Sequence, residues 1–248
     1  MKVLLCIISW VEGCRIDANQ AQRDTFLKDV AKFPNLDYKI FIGDGTPTGD
    51  DEYDINKTFE ATPIEVQRSN ALNRPKVPFD YVPKEDEVVV HAPDDIVHIA
   101  YKSKAAWKWA LDNGYDYIFH CFYDTYIDIE RLMSSGFEGH YFSGMTYDTN
   151  LCPLGGAGYW MNKKCLEIMT TSHVDFWAED GWAGWTLQKH GIYLHHDARY
   201  RQHVYDVPTK KNDFITVHVQ GRDVLETCSL HSTDRMRDIY KGLRNDNA

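Results

Sequence analysis

The chain has 248 residues, of which 43% are hydrophobic and 13% aromatic, so it can bury a substantial core, and we expect one large domain spanning residues 1–248. Acidic residues outnumber basic residues by 37 to 27, and the formal net charge of −10 opposes binding to a phosphate backbone. A disordered tail and a nucleic-acid-binding protein are therefore disfavoured classes.

The N-terminal run MKVLLCIISW predicts a first β-strand over Val3–Ser9. Its apolar part is too short for a membrane span and has no small-residue cleavage site, so we expect neither a membrane anchor nor a signal peptide. The six cysteines show no CxxC spacing, which indicates neither a zinc site nor a secreted disulfide framework. We therefore expect a cytoplasmic protein.

Strand-like and helix-like runs alternate through the first part of the chain. A helix is predicted over Ala18–Lys32, a strand over Tyr38–Ile42 and another over Val88–Val90. Residues 45–85 are rich in Asp, Pro, Thr and Asn, which predicts a long surface excursion. The βαβ order predicts an α/β fold, with a mostly parallel mixed sheet flanked by helices.

The alternation continues with a helix predicted over Ile96–Asn113, which ends at Gly114 and precedes a buried strand over Tyr117–Phe122. The remaining predicted elements are a strand at Tyr141–Gly144, a loop from Leu154 to Trp160, helices at Lys163–Thr171 and Asp180–His190, strands at Ile192–His195 and Leu225–Leu230, and a helix at Ser232–Leu243.

A lone carboxylate, Asp124, follows the buried strand Tyr117–Phe122. In open α/β sheets, ligands bind outside the carboxyl ends of the strands. Carboxylate oxygens suit Mg²⁺ or Mn²⁺, and such a metal can hold a substrate diphosphate. Asp124 is therefore a candidate metal ligand, and the alternative is that it caps a turn or the helix that begins near Ile129.

Four blocks of the sequence occur together in an order that is typical of one enzyme family. The first runs from Asp94 through Trp109 to Asp124-Thr125, and the others are Gly155-Gly-Ala-Gly-Tyr159, Glu179-Asp180 with Gly184 four residues on, and Ser229-Leu-His231 followed by Met236. Upstream, Asn19 to Leu27 adds a matching arginine, Arg23. Together these blocks resemble glycosyltransferase family 31, which includes the β-1,3-galactosyltransferases and Fringe-type enzymes.

The resemblance implies a GT-A, Rossmann-like domain that binds a nucleotide sugar through residues 1–125 and an acceptor through residues 126–248. It implies a hexosyltransferase that moves a sugar from a UDP-sugar to a hydroxyl of a glycan, protein or small molecule. It also implies inversion of the anomeric centre and a Mn²⁺ or Mg²⁺ cofactor on the diphosphate.

The resemblance assigns the metal to Asp124 and His231, and His218 is the second choice for the histidine. We expect His231 to end a strand and to meet Asp124 at one edge of the sheet. One departure concerns the acidic motif, because Phe122-Tyr123-Asp124 stands where relatives carry three consecutive acidic residues. Only the last carboxylate is retained.

Asp180 matches the catalytic base of the family, and a carboxylate beside an acceptor hydroxyl can remove its proton. The alternative for Glu179 and Asp180 is that they only favour a helix N-terminus. Trp177, Trp182 and Trp185 cluster nearby, and aromatic rings suit the apolar faces of sugars. We expect Trp185 to pack inward and Trp177 or Trp182 to approach a ligand.

The remaining candidates fall into two groups that the resemblance implies. The donor-binding residues are Asn19, Arg23, Asp44, Lys102, Tyr123 and Asp124, and the acceptor-binding residues are Gly155, Gly156, Trp177, Glu179 and Trp182. Turn chemistry explains Asp44 and the glycines equally well, and surface cations such as Arg23 and Lys102 usually do nothing specific.

Two other functions are compatible with the sequence. Loss of two acidic residues at positions 122 and 123 would fit a relative that binds nucleotide or glycan without catalysis. A DNA-modifying glycosyltransferase is the other alternative, and the acidic charge of the chain disfavours it.

Overall fold

The structure, a computed structural model, describes residues 1–11, 13–46, 81–96, 98–146, 152–202, 214–219 and 230–245. The strands are β1 (Val3–Ile8), β2 (Leu36–Gly43), β3 (Glu87–Val90), β4 (Tyr117–Phe122), β5 (Thr125–Ile127), β6 (Phe142–Gly144), β7 (Tyr159–Asn162), β8 (His195–His196), β9 (Tyr200–Arg201) and β10 (Thr216–His218). The α-helices are α1 (Gly13–Asp24), α2 (Ile99–Asp112), α3 (Ile129–Met133), α4 (Lys163–Thr171), α5 (Glu179–Lys189) and α6 (Leu230–Asn245). Short 3₁₀ segments cover Phe26–Lys32, Phe137–Gly139 and Gly155–Ala157.

The main sheet has seven strands in the order β3-β2-β1-β4-β7-β6-β8. The first four are mutually parallel, whereas β7 runs antiparallel to both of its neighbours. A second sheet, β5-β10-β9, lies beyond the carboxyl end of β4. The predicted α/β class, with a mostly parallel mixed sheet flanked by helices, is confirmed.

Both faces of the central strand β1 are buried, which explains its unbroken apolar sequence. Val3, Leu5 and Ile7 point to a cluster formed with α1, α6 and the Phe26–Lys32 segment. Leu4, Cys6 and Ile8 point to a second cluster, formed with α2, α4 and α5. Because side chains alternate along a strand, one six-residue run supplies the centre of both cores.

Several predicted boundaries differ from the structure. The helix predicted over Ala18–Lys32 breaks at Thr25, whose hydroxyl donates to the carbonyls of Ala21 and Gln22 and thereby ends α1. The loop predicted from Leu154 to Trp160 was wrong in part, because β7 begins at Tyr159. Its antiparallel pairing with β4 is a tertiary contact that local sequence does not encode.

Two predicted strands also differ. The strand predicted over Ile192–His195 shrinks to β8, His195–His196, which pairs with β6. Leu230, predicted to end a strand, instead begins α6, and residues 225–229 lie outside the described part of the chain. Most of the predicted excursion, residues 47–80, also lies outside it. Among the described helices, none is long and apolar enough to cross a membrane.

Candidate active site

The candidate site lies where the carboxyl end of β4 meets three other segments. Because β7 is antiparallel to β4, its first residue, Tyr159, pairs with His120, and the preceding glycines reach the end of β4. Because β10 is antiparallel to β5, its last residue, His218, pairs with Thr125, which directly follows Asp124. Helix α5 presents Glu179 and Asp180 at its start. Residues distant in sequence thus meet at one edge of the sheet.

Asp124 and His218 form a buried pair in this site. The Nε2 atom of His218 lies 3.1 Å from Oδ2 of Asp124. Burial opposes protonation of His218, but the Asp124 carboxylate outweighs it and raises the pKa of the imidazole. The backbone of Gln202 also favours the protonated form of His218, although Nδ1 of His218 makes no hydrogen bond of ordinary geometry. Oδ1 of Asp124 is buried without a hydrogen-bond partner, so this carboxylate has unused capacity to accept.

The turn that carries Asp124 is held from two sides. Gln22 of α1 donates from Nε2 to the carbonyls of Phe122, at 3.1 Å, and Thr125, at 3.2 Å. The Thr125 hydroxyl donates to the carbonyl of Gly156 at 3.0 Å. The backbone N–H of Val219 donates to the carbonyl of Asp124. These bonds fix the direction of the Asp124 side chain before any ligand binds.

Two consecutive glycines connect this pair to the start of α5. A Cβ atom on Gly156 would lie 2.5 Å from Nδ1 of His218, so only glycine lets the imidazole pack directly on the backbone. The N–H of Gly155 donates to Oδ2 of Asp180 at 3.1 Å. The proposed metal pair and the proposed base therefore flank the same dipeptide.

We expect Gly156→Ala to weaken metal binding and to destabilise the fold. The new methyl group would overlap the His218 ring and push it away from Asp124, and overpacking of this kind costs about 1–3 kcal/mol. Denaturant unfolding would measure the stability loss and calorimetric Mn²⁺ titration the affinity. Gly242→Ala, in α6, where a Cβ meets nothing within 4 Å, is the matched control; it should leave Mn²⁺ affinity unchanged and should not lower stability.

Asp180 occupies a position suited to proton transfer. Its side chain is only partly buried, and its two carboxylate oxygens accept from the N–H groups of Gly155 and Gly181. Burial and the neighbouring Glu179 carboxylate raise the pKa of Asp180 to about 7, against the opposing effect of those two N–H donors. A carboxyl group with this pKa can accept a proton near neutral pH.

Glu179 lies deeper than Asp180. Its side chain is buried, and burial raises its pKa to about 7 although backbone N–H groups at the start of α5 favour the charged form. Oε1 of Glu179 has no hydrogen-bond partner and lies 3.7 Å from Nε2 of His120. Glu179 was predicted to bind the acceptor, and in the structure its carboxyl group lies beside Gly155, the residue that also contacts Asp180.

The sequence analysis missed His120 and Tyr159 as part of this site. Both are fully buried, their rings lie 4.9 Å apart between centroids, and each has a polar atom without a hydrogen bond, Nε2 of His120 and the hydroxyl of Tyr159. The available signal was a histidine in the middle of a buried apolar strand, which is rare unless the ring has a specific partner.

The prediction for the two tryptophans of α5 is reversed in the structure. Trp182 is fully buried, stacks on Trp107 and donates its indole N–H to the carbonyl of His173. Trp185, which we expected to pack inward, is 45% exposed and contacts Phe176 edge to face. Trp177 is partly buried beside Phe176. Of the two tryptophans on α5, it is Trp185 that can face a ligand.

The structure places two predicted donor-binding residues at the carboxyl ends of β1 and β2. Asn19 is buried and accepts from the hydroxyl of Ser9. Asp44 is partly exposed, and its carboxylate accepts from the N–H groups of Thr46 and Ala92 and contacts Nδ1 of His91. The hydrogen bonds of Asp44 fit the turn-forming role that the sequence left open for it.

Arg23 lies away from the strand ends. Its guanidinium pairs with Asp86 and Glu87, at the beginning of β3. The candidate site lies at the carboxyl ends of the strands, so these two ion pairs hold the Arg23 side chain at the opposite end of the sheet.

Lys102 is fully buried in an ion pair with Asp94 at 2.8 Å. Its ammonium also donates to the Ser9 carbonyl and lies 4.1 Å from the centroid of the Trp10 ring. Burial lowers the pKa of Lys102 to about 8, with Asp94 opposing the shift. Asp94 further accepts from the N–H groups of Val11 and Gly43, so this pair joins the ends of β1, β2 and α2.

We expect Lys102→Met to lower the free energy of unfolding by about 3–5 kcal/mol, because it leaves the Asp94 charge buried without its partner. Urea unfolding would measure the loss. Lys108→Met, which breaks an exposed pair with Asp112 on the same helix, should change stability by less than about 1 kcal/mol. Equal losses in the two variants would contradict a structural role for the Asp94–Lys102 pair.

The structure corrects the expected setting of His231. It lies in the first turn of α6 and does not end a strand, and its side chain lies outside the described part of the chain. Positions 122 and 123 carry packed aromatic rings. Phe122 stacks on Trp10 with centroids 6.5 Å apart, and Tyr123 meets the same indole edge to face at 5.5 Å.

Comparison with known proteins gives limited information. No family model matches the sequence, and no curated protein matches it. Among solved structures, the chain is similar to the galactosyltransferase LgtC in complex with donor and acceptor sugar analogues. The TM-score is 0.44 and the sequence identity 9%, and the match covers 97% of this chain and 95% of LgtC. This likeness assigns neither a family nor an activity to the chain.

Proposed function

We propose that the protein is a glycosyltransferase of GT-A type that moves a sugar from a UDP-sugar to an acceptor hydroxyl, with Asp180 as the general base. One observation supports this proposal above the others. Gly155 and Gly156 join the Asp180 carboxylate to the Asp124–His218 pair, so the candidate base and the candidate cation-binding pair flank one dipeptide at the carboxyl end of β4. The resemblance of four sequence blocks to glycosyltransferase family 31 agrees with this arrangement.

The residues present fit a divalent cation. A carboxylate and an imidazole are suitable ligands for Mn²⁺, and their donor atoms lie 3.1 Å apart. Neighbouring ligands of an octahedral ion with bonds of about 2.1 Å are separated by about 3 Å. The described residues contain no cluster of three His, Cys, Asp or Glu ligands, and metal ions that bind diphosphates commonly take their other ligands from phosphate and water.

The proposed mechanism assigns one task to each part of the site. Asp124 and His218 would hold the cation, which supplies Lewis-acid stabilisation of the leaving diphosphate. Asp180 accepts the proton of the acceptor hydroxyl while the oxygen attacks the anomeric carbon. The N–H donors of Gly155 and Gly181 hold the carboxylate in one orientation during this transfer. Attack in line with the departing diphosphate inverts the anomeric configuration.

Donor turnover tests the proposal directly. The protein would be incubated with a panel of UDP- and GDP-sugars, with and without Mn²⁺, and release of the nucleotide would be measured. We expect Mn²⁺-dependent release from one UDP-sugar, and NMR of the product should show the inverted anomer. Absence of both turnover and donor-dependent thermal stabilisation across the panel would contradict the proposal.

A binding protein without turnover is the second candidate. The observation in its favour is that Phe122 and Tyr123 replace two acidic residues of the resembled family, which leaves Asp124 as the one carboxylate of the motif. Both aromatic rings pack against Trp10. The pKa of about 7 at Asp180 favours catalysis, because a binding site has no need of a base poised near neutrality. Calorimetric binding of a UDP-sugar without any turnover would support the second candidate.

A further inference from the structure

A buried row of three side chains lies behind Asp180. Trp107 of α2 donates its indole N–H to Nδ1 of His120 on β4 at 3.1 Å, and Nε2 of His120 lies 3.7 Å from Oε1 of Glu179 on α5. Trp107 and His120 are fully buried, and Glu179 is 3% exposed. No step of the proposed mechanism uses these three groups.

The indole fixes the proton of His120 on one nitrogen. Because Nδ1 accepts a hydrogen bond, the neutral ring must carry its hydrogen on Nε2, the atom nearest to Glu179. Burial lowers the pKa of His120 to about 3, although the Asp180 charge opposes the shift, so the ring is neutral at pH 7. The ring therefore presents an N–H group, without positive charge, on the side where Glu179 lies.

Glu179 and Asp180 are coupled through the glycine that both contact. A Cβ atom on Gly155 would lie 2.5 Å from Oε1 of Glu179 and 3.2 Å from Oδ2 of Asp180. The two carboxyl groups thus face the same backbone atom, and the charge of Glu179 raises the pKa of Asp180. Two carboxylates held this close give up their protons as a pair.

We propose that Glu179 is a positioning residue whose negative charge sets the proton affinity of Asp180, and that the Nε2–H group of His120, oriented by Trp107, favours the charged form of Glu179. This inference rests on the proposed function, in which Asp180 takes the acceptor proton. In molecules in which Glu179 is ionised, the proton moves from the acceptor hydroxyl to Asp180, and Glu179 itself takes up no proton in this step. Its negative charge makes Asp180 a stronger base than an isolated aspartate would be.

The Asp124–His218 pair lies across Gly156 from these carboxyl groups, and its opposite charges offset each other when the imidazole is protonated. Three further titratable groups near the carboxyl pair are neutral at pH 7. Tyr159 of β7 is buried, and burial followed by the charges of Glu179 and Asp180 raises the pKa of its hydroxyl. Cys152 lies before Gly155, and burial followed by the Asp180 charge raises the pKa of its thiol to about 11. Cys6 of β1 is a further neutral thiol near Tyr159, its pKa raised by burial. Glu179 is therefore the group whose charge acts on Asp180.

The test compares the pH dependence of three variants with that of the wild type. Glu179→Gln removes the charge, so the acidic limb of the transfer rate should move to lower pH by about one unit. Trp107→Phe removes the hydrogen bond that fixes the tautomer of His120, and so favours protonated Glu179. The acidic limb should then move in the same direction by a smaller amount. Trp109→Phe is the matched control, because this tryptophan lies on the same helix, α2, but its ring contacts Phe41 and Tyr115, and the limb should not move.

A measurement without substrate keeps this inference separate from the proposed function. Carboxyl ¹³C NMR of the free protein, with the Asp180 signal assigned from Asp180→Asn, should show Asp180 titrating at lower pH in Glu179→Gln. The ¹⁵N spectrum should show neutral His120 with its proton on Nε2. An unchanged Asp180 titration in folded Glu179→Gln, or a proton on Nδ1 of His120, would overturn the inference. If no sugar transfer is found, the proposed function is wrong, and the Asp180 titration still decides whether Glu179 sets the proton affinity of Asp180.

Discussion

Asp180→Asn should reduce sugar transfer by about 10²–10⁴-fold while leaving donor affinity within a few-fold of the wild type, because it removes a general base and changes no donor contact. The amide oxygen of asparagine can still accept from the N–H of Gly155, which keeps one of the two hydrogen bonds that hold the side chain. Initial rates of nucleotide release and calorimetric donor titration would measure the two effects. In the wild type, the same rate should rise with pH through about 7, the pKa of Asp180.

The thermal stability of Asp180→Asn distinguishes loss of the general base from misfolding of the variant. The folded-state pKa of Asp180 lies above the ordinary value of about 3.9, so above pH 7 its ionised form makes the folded state less stable. Asp180→Asn should therefore melt at pH 8 no lower than the wild type. Asp175→Asn, at an exposed carboxylate paired with Lys189, is the matched control and should retain full transfer. Full transfer activity in Asp180→Asn would exclude Asp180 as the general base.

Asp124→Asn should abolish the Mn²⁺ dependence of transfer and lower the rate with metal by about 10²-fold or more, because the proposed cation site would lose its carboxylate ligand. Mn²⁺ affinity, measured by electron paramagnetic resonance in the presence of UDP, should fall in parallel. Asp116→Asn is the matched control, at an exposed carboxylate immediately before the same strand, β4. It should leave both quantities unchanged.

Histidine variants decide which imidazole completes the metal site. If His218 is the ligand, His218→Asn should lose Mn²⁺ affinity as strongly as Asp124→Asn does, because the two side chains are in contact. His231→Asn tests the residue that the family resemblance favours. A loss in His231→Asn alone would show that the described Asp124–His218 contact holds the side chains in place and does not bind the cation.

Local sequence was sufficient for the elements at the centre of the molecule. The predicted strand Tyr117–Phe122 and the predicted helix Lys163–Thr171 coincide with β4 and α4. Gly114 and Gly191, predicted to end helices, have φ angles of 74° and 73° and follow the ends of α2 and α5. These features depend on short apolar runs and on backbone conformations that glycine adopts most readily, both of which are legible in a few consecutive residues.

Local sequence failed where an element offers no distinct face. Helix α5 carries glycine or alanine at positions 181, 183 and 184, between and beside its two tryptophans, so apolar and small residues surround it on every side. Nothing in that pattern distinguishes Trp182 from Trp185. Packing against Trp107 buries one of them, and that contact crosses from α5 to α2.

The sequence by itself determined the α/β class, the strand that ends at Asp124 and the helix that begins beside Asp180, because each of these depends on residues that are neighbours along the chain. Only the tertiary structure decided that His218 lies against Asp124, 94 residues away, and that His120 lies behind Glu179. The antiparallel register of β10 with β5 fixed the first contact, and the packing of α5 against α2 fixed the second. Such registers depend on how whole elements pack together, and single motifs do not specify them.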